Sequence, residues 1–361
     1  MEIRAFERDA ALIDVFVQLP FTLHGSDPRW IPPVRATVRR QLSPDGTFSR
    51  HGSIQSFLAF DGETPVGRCT ASVDDLLVHR GQPAGAIGFF ESRSWEAAAA
   101  LLDAARAWLG ARGRRRVLGP MELSIWHSYR FMTRGFEAEP FFGEPRNPPS
   151  YPEYFVRYGF QPFARWHSWD LGRDHLQELR TLAAEMAPAT PGIRYRPFDV
   201  SRFDEEIRRA HEVFTDGFRD NVAFAPVPLD EFREINDALR DTVIPEFAVM
   251  AETDRGDCVG FGYVYTDVGP VVRGMKGEID PTAVSAAAHG RTLDRVVLYA
   301  WVIRKAYRMM GIAETMGRLL TEAALARGVA TAIGALAKEG PEPYDLFGEA
   351  SRGYALFELG P

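Results

Sequence analysis

The chain has 361 residues, of which 45% are hydrophobic and 25% charged, with a formal net charge of −7 and two cysteines. That length predicts two domains, each able to bury a core, and the composition excludes a disordered or fibrous chain. The mild acidity argues against a dedicated nucleic-acid binder. Cys69 and Cys258 are too few and too far apart for a secreted disulfide scaffold.

The charged start, Met1 to Asp9, has no apolar stretch of signal-peptide type, and no apolar run approaches a membrane span. A cytoplasmic protein without a membrane partner is therefore expected. Arg35, Arg39 and Arg40, and the run Arg112 with Arg114 to Arg116, read as solvated basic faces.

In chain order, Glu2-Ile-Arg-Ala-Phe6 predicts a strand, and Ala11, Leu12, Val15 and Phe16 give the following stretch helical spacing. Phe57 to Gly67, with Asp-Gly at its centre, reads as a hairpin that continues through Val73. The strand Ala86-Ile-Gly-Phe-Phe-Glu91 runs through Ser92-Arg-Ser94 into a helix over 96–110, and Gly113 separates that helix from a strand over 116–118.

Then the pattern repeats. Gly192 to Phe198 repeats the first strand, and Phe203, Ile207, Ala210, Val213 and Phe214 repeat the helix. Phe247 to Thr266 repeats the hairpin. Val296 to Trp301 is an apolar strand, a helix covers 314–325, Gly328 follows it, and a strand covers 329–333. Ala187-Pro-Ala-Thr-Pro-Gly192 has linker chemistry. The expected fold is α/β (α+β): two tandem domains, 1–186 and 193–361, joined by 187–192, each a mostly antiparallel mixed sheet flanked by helices.

The second half carries Arg308-Met-Met-Gly-Ile-Ala313 between its apolar strand and its last helix. Free N–H groups at a helix N-terminus attract phosphates, Gly311 permits close backbone approach, and Arg308 adds charge. A diphosphate-bearing ligand is expected on Arg308, Met309, Met310, Gly311, Ile312 and Ala313. The first half has no such segment after Glu91, so it is expected to have lost that ligand and to shape the other side of the site.

These residues resemble the GNAT (GCN5-related N-acetyltransferase) motif Arg/Gln-x-x-Gly-x-Gly/Ala, filled here by Arg308, Gly311 and Ala313, with Lys305 where a proline is frequent. Nearly the whole chain also resembles a bacterial group of tandem GNAT-like proteins, the YghO-like family. That likeness rests on Asp27 to Pro33, Phe89 to Glu91, Gly119 to Ser124, Gly135-Phe136 and Asn147 to Tyr151.

The resemblance implies acetyl-CoA or another acyl-CoA as cosubstrate, direct transfer to a small-molecule amine in a ternary complex, and no metal. It implies an oxyanion contact from the strand near Val302 and Ile303, along which pantetheine would extend the sheet. A tyrosine acid is common in the family, and Tyr344 stands in the matching region, with Tyr299 a second candidate.

For the base, Glu91, Glu122 and Asp267 stay open. Glu91 ends an apolar strand, which predicts a desolvated carboxylate with a raised pKa. Trp30, Asn147 and Tyr151, on proline-rich loops, are expected to line the acceptor cleft. The histidines show no metal-ligand spacing. Two rival readings are an aminoacyl-tRNA-dependent transferase of tandem GNAT fold, which would need a basic groove, and a catalytically decayed CoA-binding module.

Overall fold

The computed structural model describes residues 1–186, 190–340 and 347–360. The first half contains β1 (Glu2–Phe6), α1 (Ala10–His24), α2 (Arg35–Gln41), β2 (Gly52–Asp61), β3 (Thr64–His79), β4 (Gln82–Ser92), α3 (Trp95–Gly110), β5 (Arg116–Gly119), β6 (Phe131–Arg134), α4 (Ser150–Tyr158), β7 (Gln161–Gly172) and α5 (Arg173–Met186). The second contains β8 (Ile193–Pro197), α6 (Phe203–Gly217), α7 (Leu229–Asn236), α8 (Leu239–Thr242), β9 (Ala248–Thr253), β10 (Cys258–Thr266), α9 (Gly269–Gly274), α10 (Pro281–His289), β11 (Arg295–Ile303), α11 (Ile312–Ala326), β12 (Thr331–Lys338) and β13 (Arg352–Leu359).

The repeat is real in three dimensions. Both hairpins form, and Gly62, Gly113 and Gly328 have φ of 58°, 75° and 85°, the left-handed backbone that turns and helix ends require. The helices extend slightly past their expected limits because Ser94 and Gly311 act as N-caps one or two residues earlier.

The strands form one sheet in the order β1-β2-β3-β4-β5-β13-β7-β12-β11-β10-β9-β8. Neighbours are antiparallel except β4 with β5 and β11 with β12, which run parallel. The two halves exchange their last strands: β13, from the second half, lies between β5 and β7, and β7, from the first, pairs with β12. The Phe163 to Trp169 segment is therefore central sheet, with Trp166 and Trp169 buried.

Helices cover both faces. α3 and α4 pack on β2 to β5 through Leu101, Leu102 and Phe155. α11, with Leu176 of α5, packs on β9 to β12 through Met316 and Leu320. α6 and α7 cover the opposite face of β9 to β11 through Val213 and Phe232. The basic stretches are ion-paired: Arg39 with Asp14, Arg40 with Glu234, Arg114 with Asp75 and Arg116 with Glu358. Among the described residues, no helix is long and apolar enough to cross a membrane.

Candidate active site

The segment β11 to α11 is built around two irregularities. The first is a bulge at Tyr299: Tyr263 of β10 opposes Ala300, whereas the next residue, Val264, opposes Leu298. The extra residue turns Tyr299 onto the α6 face, where it meets Tyr263 and Tyr265 at ring separations of 6.5 and 5.7 Å. The second is a splay. β11 pairs with β12 only from Arg295 to Leu298; beyond that point β12 follows β7 instead. From Tyr299 to Ile303 the strand keeps β10 on one side and has no strand partner on the other among the described residues; Val302 is buried and pairs with Phe261. An open strand edge with unpaired amides can accept an extended ligand as an added strand.

The segment Arg308 to Ala313 follows, after a short turn. Lys305–Tyr307 is a single 3-10 turn, Arg308 is extended, and Met309 and Gly311 have φ of 62° and 79°. Gly311 is the N-cap of α11, and no side chain caps this helix. Its first-turn amides have no intrahelical acceptor. Buried Ile312 and Met316 hold the helix start in place.

Contacts to α6 brace the loop. The Arg308 guanidinium donates to the Gly217 carbonyl at 2.5 Å, and the Lys305 amide donates to Asp216 at 2.7 Å. Gly217 allows this approach, since a Cβ there would sit 2.5 Å from a Val302 methyl. Ala313 is partly exposed on the first turn, while Met309 and Met310 are 101% and 41% exposed beside it.

The matching junction in the first half is closed. β4 keeps a bulge, with Phe89 at φ 48°, and pairs with β5 only from Ala84 to Ala86. Here the opening is filled. The Met121 amide donates to Ile87 at 2.8 Å, and a Cβ on Gly88 would lie 2.2 Å from the Met121 carbonyl oxygen. At the helix, Ser94 Oγ accepts from the Ala97 amide at 3.3 Å, and the Ser92 amide donates to the Tyr151 hydroxyl at 3.1 Å. One amide of the helix start, Ala97, and the Ser92 amide before it are thus already used.

Three of the expected site residues meet in the first half around an unexpected one, His24. Its Nε2 lies 2.6 Å from Glu91 Oε2, and Tyr151 donates its hydroxyl to the same oxygen at 2.8 Å. Trp30 packs on His24 with ring centroids 5.7 Å apart. Arg68, buried and hydrogen-bonded to the Phe16 carbonyl, stands 3.6 Å from the other Glu91 oxygen.

This corrects the expectation for Glu91. Burial pushes its pKa up, but His24, Arg68 and Tyr151 together bring it below the ordinary carboxylate value. Glu122 is the carboxyl that behaves as Glu91 was expected to: burial, against the pull of Arg68 and with the push of Glu91, raises it to about 7. A second such group, Glu144, also at about 7 through burial, accepts from Tyr354 at 2.6 Å and pairs with Arg352 at 3.0 Å in the central seam.

Other expected residues are committed elsewhere. Asn147 accepts from the Met132 amide at 2.7 Å and donates to the carbonyls of Met132 and Pro148, so its amide ties β6 to the start of α4. Tyr151 is 2% exposed and sits in the α3–α4 core rather than on a cleft wall. Asp267 accepts from Phe142, Gly269 and Arg295 and is structural. Tyr344 lies outside the described residues. Among the described residues, no cluster of His, Cys, Asp and Glu side chains could hold a metal ion.

His24, Arg68 and Glu144 were missed because each gains its meaning from a partner at least 23 positions away in sequence. The one local signal was the Phe-Phe-Glu of β4, which marks Glu91 but names none of its partners.

With this geometry in view, the comparisons are specific. Over its full length the chain superimposes on a tandem GNAT protein from the clavulanic acid biosynthesis pathway, covering 99% of that chain with a TM-score of 0.56 and 13% identity. The chain has a tandem GNAT fold. In sequence it is 27% identical to YghO of Escherichia coli K12 over 271 residues, which is 74% of this chain and 69% of that one. It is 28% identical to a bacterial ceramide synthase of Caulobacter vibrioides over 284 residues, 74% of this chain and 70% of that one. No protein-family model matches the chain. The resemblance to the YghO-like group therefore holds for sequence as well as fold.

Proposed function

We propose that the chain is an acyl-CoA-dependent N-acyltransferase, with acetyl as the first acyl group to test and a small-molecule amine as acceptor. The observation that carries this reading is the open edge of β11 leading into an uncapped, Gly311-started helix, a strand groove and a phosphate cradle in one line. The donor side is assigned to 193–361. Residues 1–186 form a degenerate, acceptor-side domain across the linker 187–192.

The residues fit an acyl-CoA. The α11 amides and Arg308 would hold its phosphates, and the β11 edge its pantetheine. When bound, acyl-CoA supplies the thioester carbonyl as electrophile. A backbone N–H near Val302 and Ile303 would stabilise charge on the carbonyl oxygen. The amine must lose a proton before it attacks; Glu91 is engaged by His24, Tyr151 and Arg68, and Asp267 by Phe142, Gly269 and Arg295, which leaves Glu122 as the proposed base. Tyr344 and the half-exposed Tyr299 are the proposed sources of a proton for the leaving thiolate.

Calorimetry with CoA and acetyl-CoA tests the donor. Arg308→Ala is expected to weaken binding by about tenfold or more, the worth of a charge-assisted contact. Absence of heat with CoA, acetyl-CoA and longer acyl-CoAs would sink the reading. A second reading, favoured by the likeness to the bacterial ceramide synthase, is a lipid amine acceptor with a long acyl donor. Mass spectrometry of products from a long-chain amine and a short polar amine, offered together, separates the two.

A further inference from the structure

Arg130 ends the 120–130 loop of the first half, just before β6, and two of its guanidinium nitrogens are orphaned among the described residues. Its Nε and Nη1 are buried with no hydrogen-bond partner. The group is stacked on Tyr129, 3.9 Å from the ring centroid, and on Trp166 at 4.5 Å. The backbone at Arg130 has φ 93°, which an arginine adopts at a cost, and it is held there by an N–H bond to the Pro120 carbonyl at 3.0 Å.

An orphaned arginine Nε is not rare here, but the context of this one is. Arg68, Arg114, Arg116, Arg273, Arg304 and Arg352 also have one, and each is paired with a carboxylate. Among the described residues, Arg130 pairs with none. A planar cation with two dry, unused donors, fixed by aromatic faces, is prepared for a planar or tetrahedral oxyanion.

Its location gives the ligand a role. Tyr129 and Trp166 share a cluster with Leu336 of β12, Leu336 packs in turn with Tyr265, and Tyr265 meets Tyr299, the bulged residue where β11 leaves β12, at a ring separation of 5.7 Å. That is the end of the open edge away from Arg308, so the donor's phosphates lie elsewhere.

We propose that Arg130, clamped by Tyr129 and Trp166 beside Tyr299, is the anion anchor for the acceptor and holds a carboxylate or phosphate of the amine that receives the acyl group. The word acceptor rests on the acyltransferase reading; the anion site does not.

The test titrates the full chain with matched probes, glycine against glycinamide and phosphoethanolamine against ethanolamine, followed by tryptophan fluorescence and calorimetry. The anionic member of at least one pair binds, and the pair that responds identifies carboxylate or phosphate. Arg130→Gln weakens that binding by about tenfold or more. Arg130→Lys, which keeps charge but loses the planar fork, falls between, and unchanged melting temperatures separate lost binding from lost folding.

In turnover with an acyl-CoA, the Arg130→Gln loss is in KM for the anionic amine, with kcat kept. Equal binding by wild type and Arg130→Gln, or no anion binding at all, overturns the proposal. So does anion binding that Arg308→Ala abolishes and Arg130→Gln spares, which would belong to the phosphate loop. An equal fall in kcat for charged and neutral amines also overturns it, placing Arg130 on the thioester oxygen. Failure of CoA to bind refutes the donor reading alone and leaves the anion titration readable.

Discussion

In the second half, β11 bulges, separates from its parallel neighbour and runs into a helix whose first turn is free. In the first half, β4 bulges and separates in the same way, but Met121 and Glu122 cross the gap and Ser94 closes the helix. The backbone plan survives in both; the vacancy survives in one. A strand opening is thus not itself a site. It becomes one when no other part of the chain satisfies its amides.

The plug in the first half is anchored in the second. Trp126, on the same 120–130 loop, donates to the Ala225 carbonyl at 2.7 Å and packs against Phe214, Phe218, Phe224 and Phe232. Trp126 is partly buried, so Trp126→Ala should have the largest effect, a loss of about 3 kcal/mol in chemical denaturation, at the low end for aromatic-to-alanine changes in a core. If the loop only fills space locally, the loss will stay near 1 kcal/mol, the average for point substitutions.

Gly311→Val addresses the open junction. A branched side chain disfavours φ 79° and crowds the phosphate path, so CoA affinity should fall by about a hundredfold in calorimetry while far-UV dichroism is unchanged. Little change would mean that this junction is as closed as its counterpart.

Glu122 of the plug and Glu91 of β4 give a pH test. Glu122 has a folded pKa of about 7, above its ordinary 4.5. Between those values the folded state holds a proton that the unfolded state has lost, so this group lowers stability as pH rises through the window. Glu122→Gln should thus gain melting temperature relative to wild type at pH 7.5 compared with pH 5. Glu91, shifted the other way, contributes stability above its ordinary pKa that is lost as pH falls below it, so Glu91→Gln should destabilise at pH 7.5. The opposite order would reverse the assignment of these two groups.

The smallest effect is expected for Ser94→Ala, about 1 kcal/mol of stability from the lost cap. CoA affinity should be unaffected. A gain of CoA binding at a second site would show that capping alone silenced the first half.

Much of the fold was legible. The hairpin turns, the glycines after α3 and α11, and the doubled order of elements are written in local residue types and spacing, which act over a few positions. The position of Arg308 to Ala313 at a strand-to-helix junction was legible for the same reason. The catalytic assignments were less so. Glu91 was visible as the end of an apolar strand, but the direction of its pKa depends on His24 and Tyr151, 67 and 60 positions away. Asn147 was visible as a polar loop residue, but its hydrogen bonds to β6 are tertiary.

By itself, then, the sequence determined that there are two copies of one α/β plan and that the segment Arg308 to Ala313, proposed above to hold phosphates, occurs in the second. Local chemistry suffices for that: turns, caps and periodicity depend on neighbours in the chain. The tertiary structure decided that β7 and β13 change places and, among the described residues, that one strand opening is filled and the other is not and that Arg130 has no counter-charge. Those facts depend on which distant groups reach each other, because burial and pairing, not residue type, set what an amide, a carboxylate or a guanidinium can do.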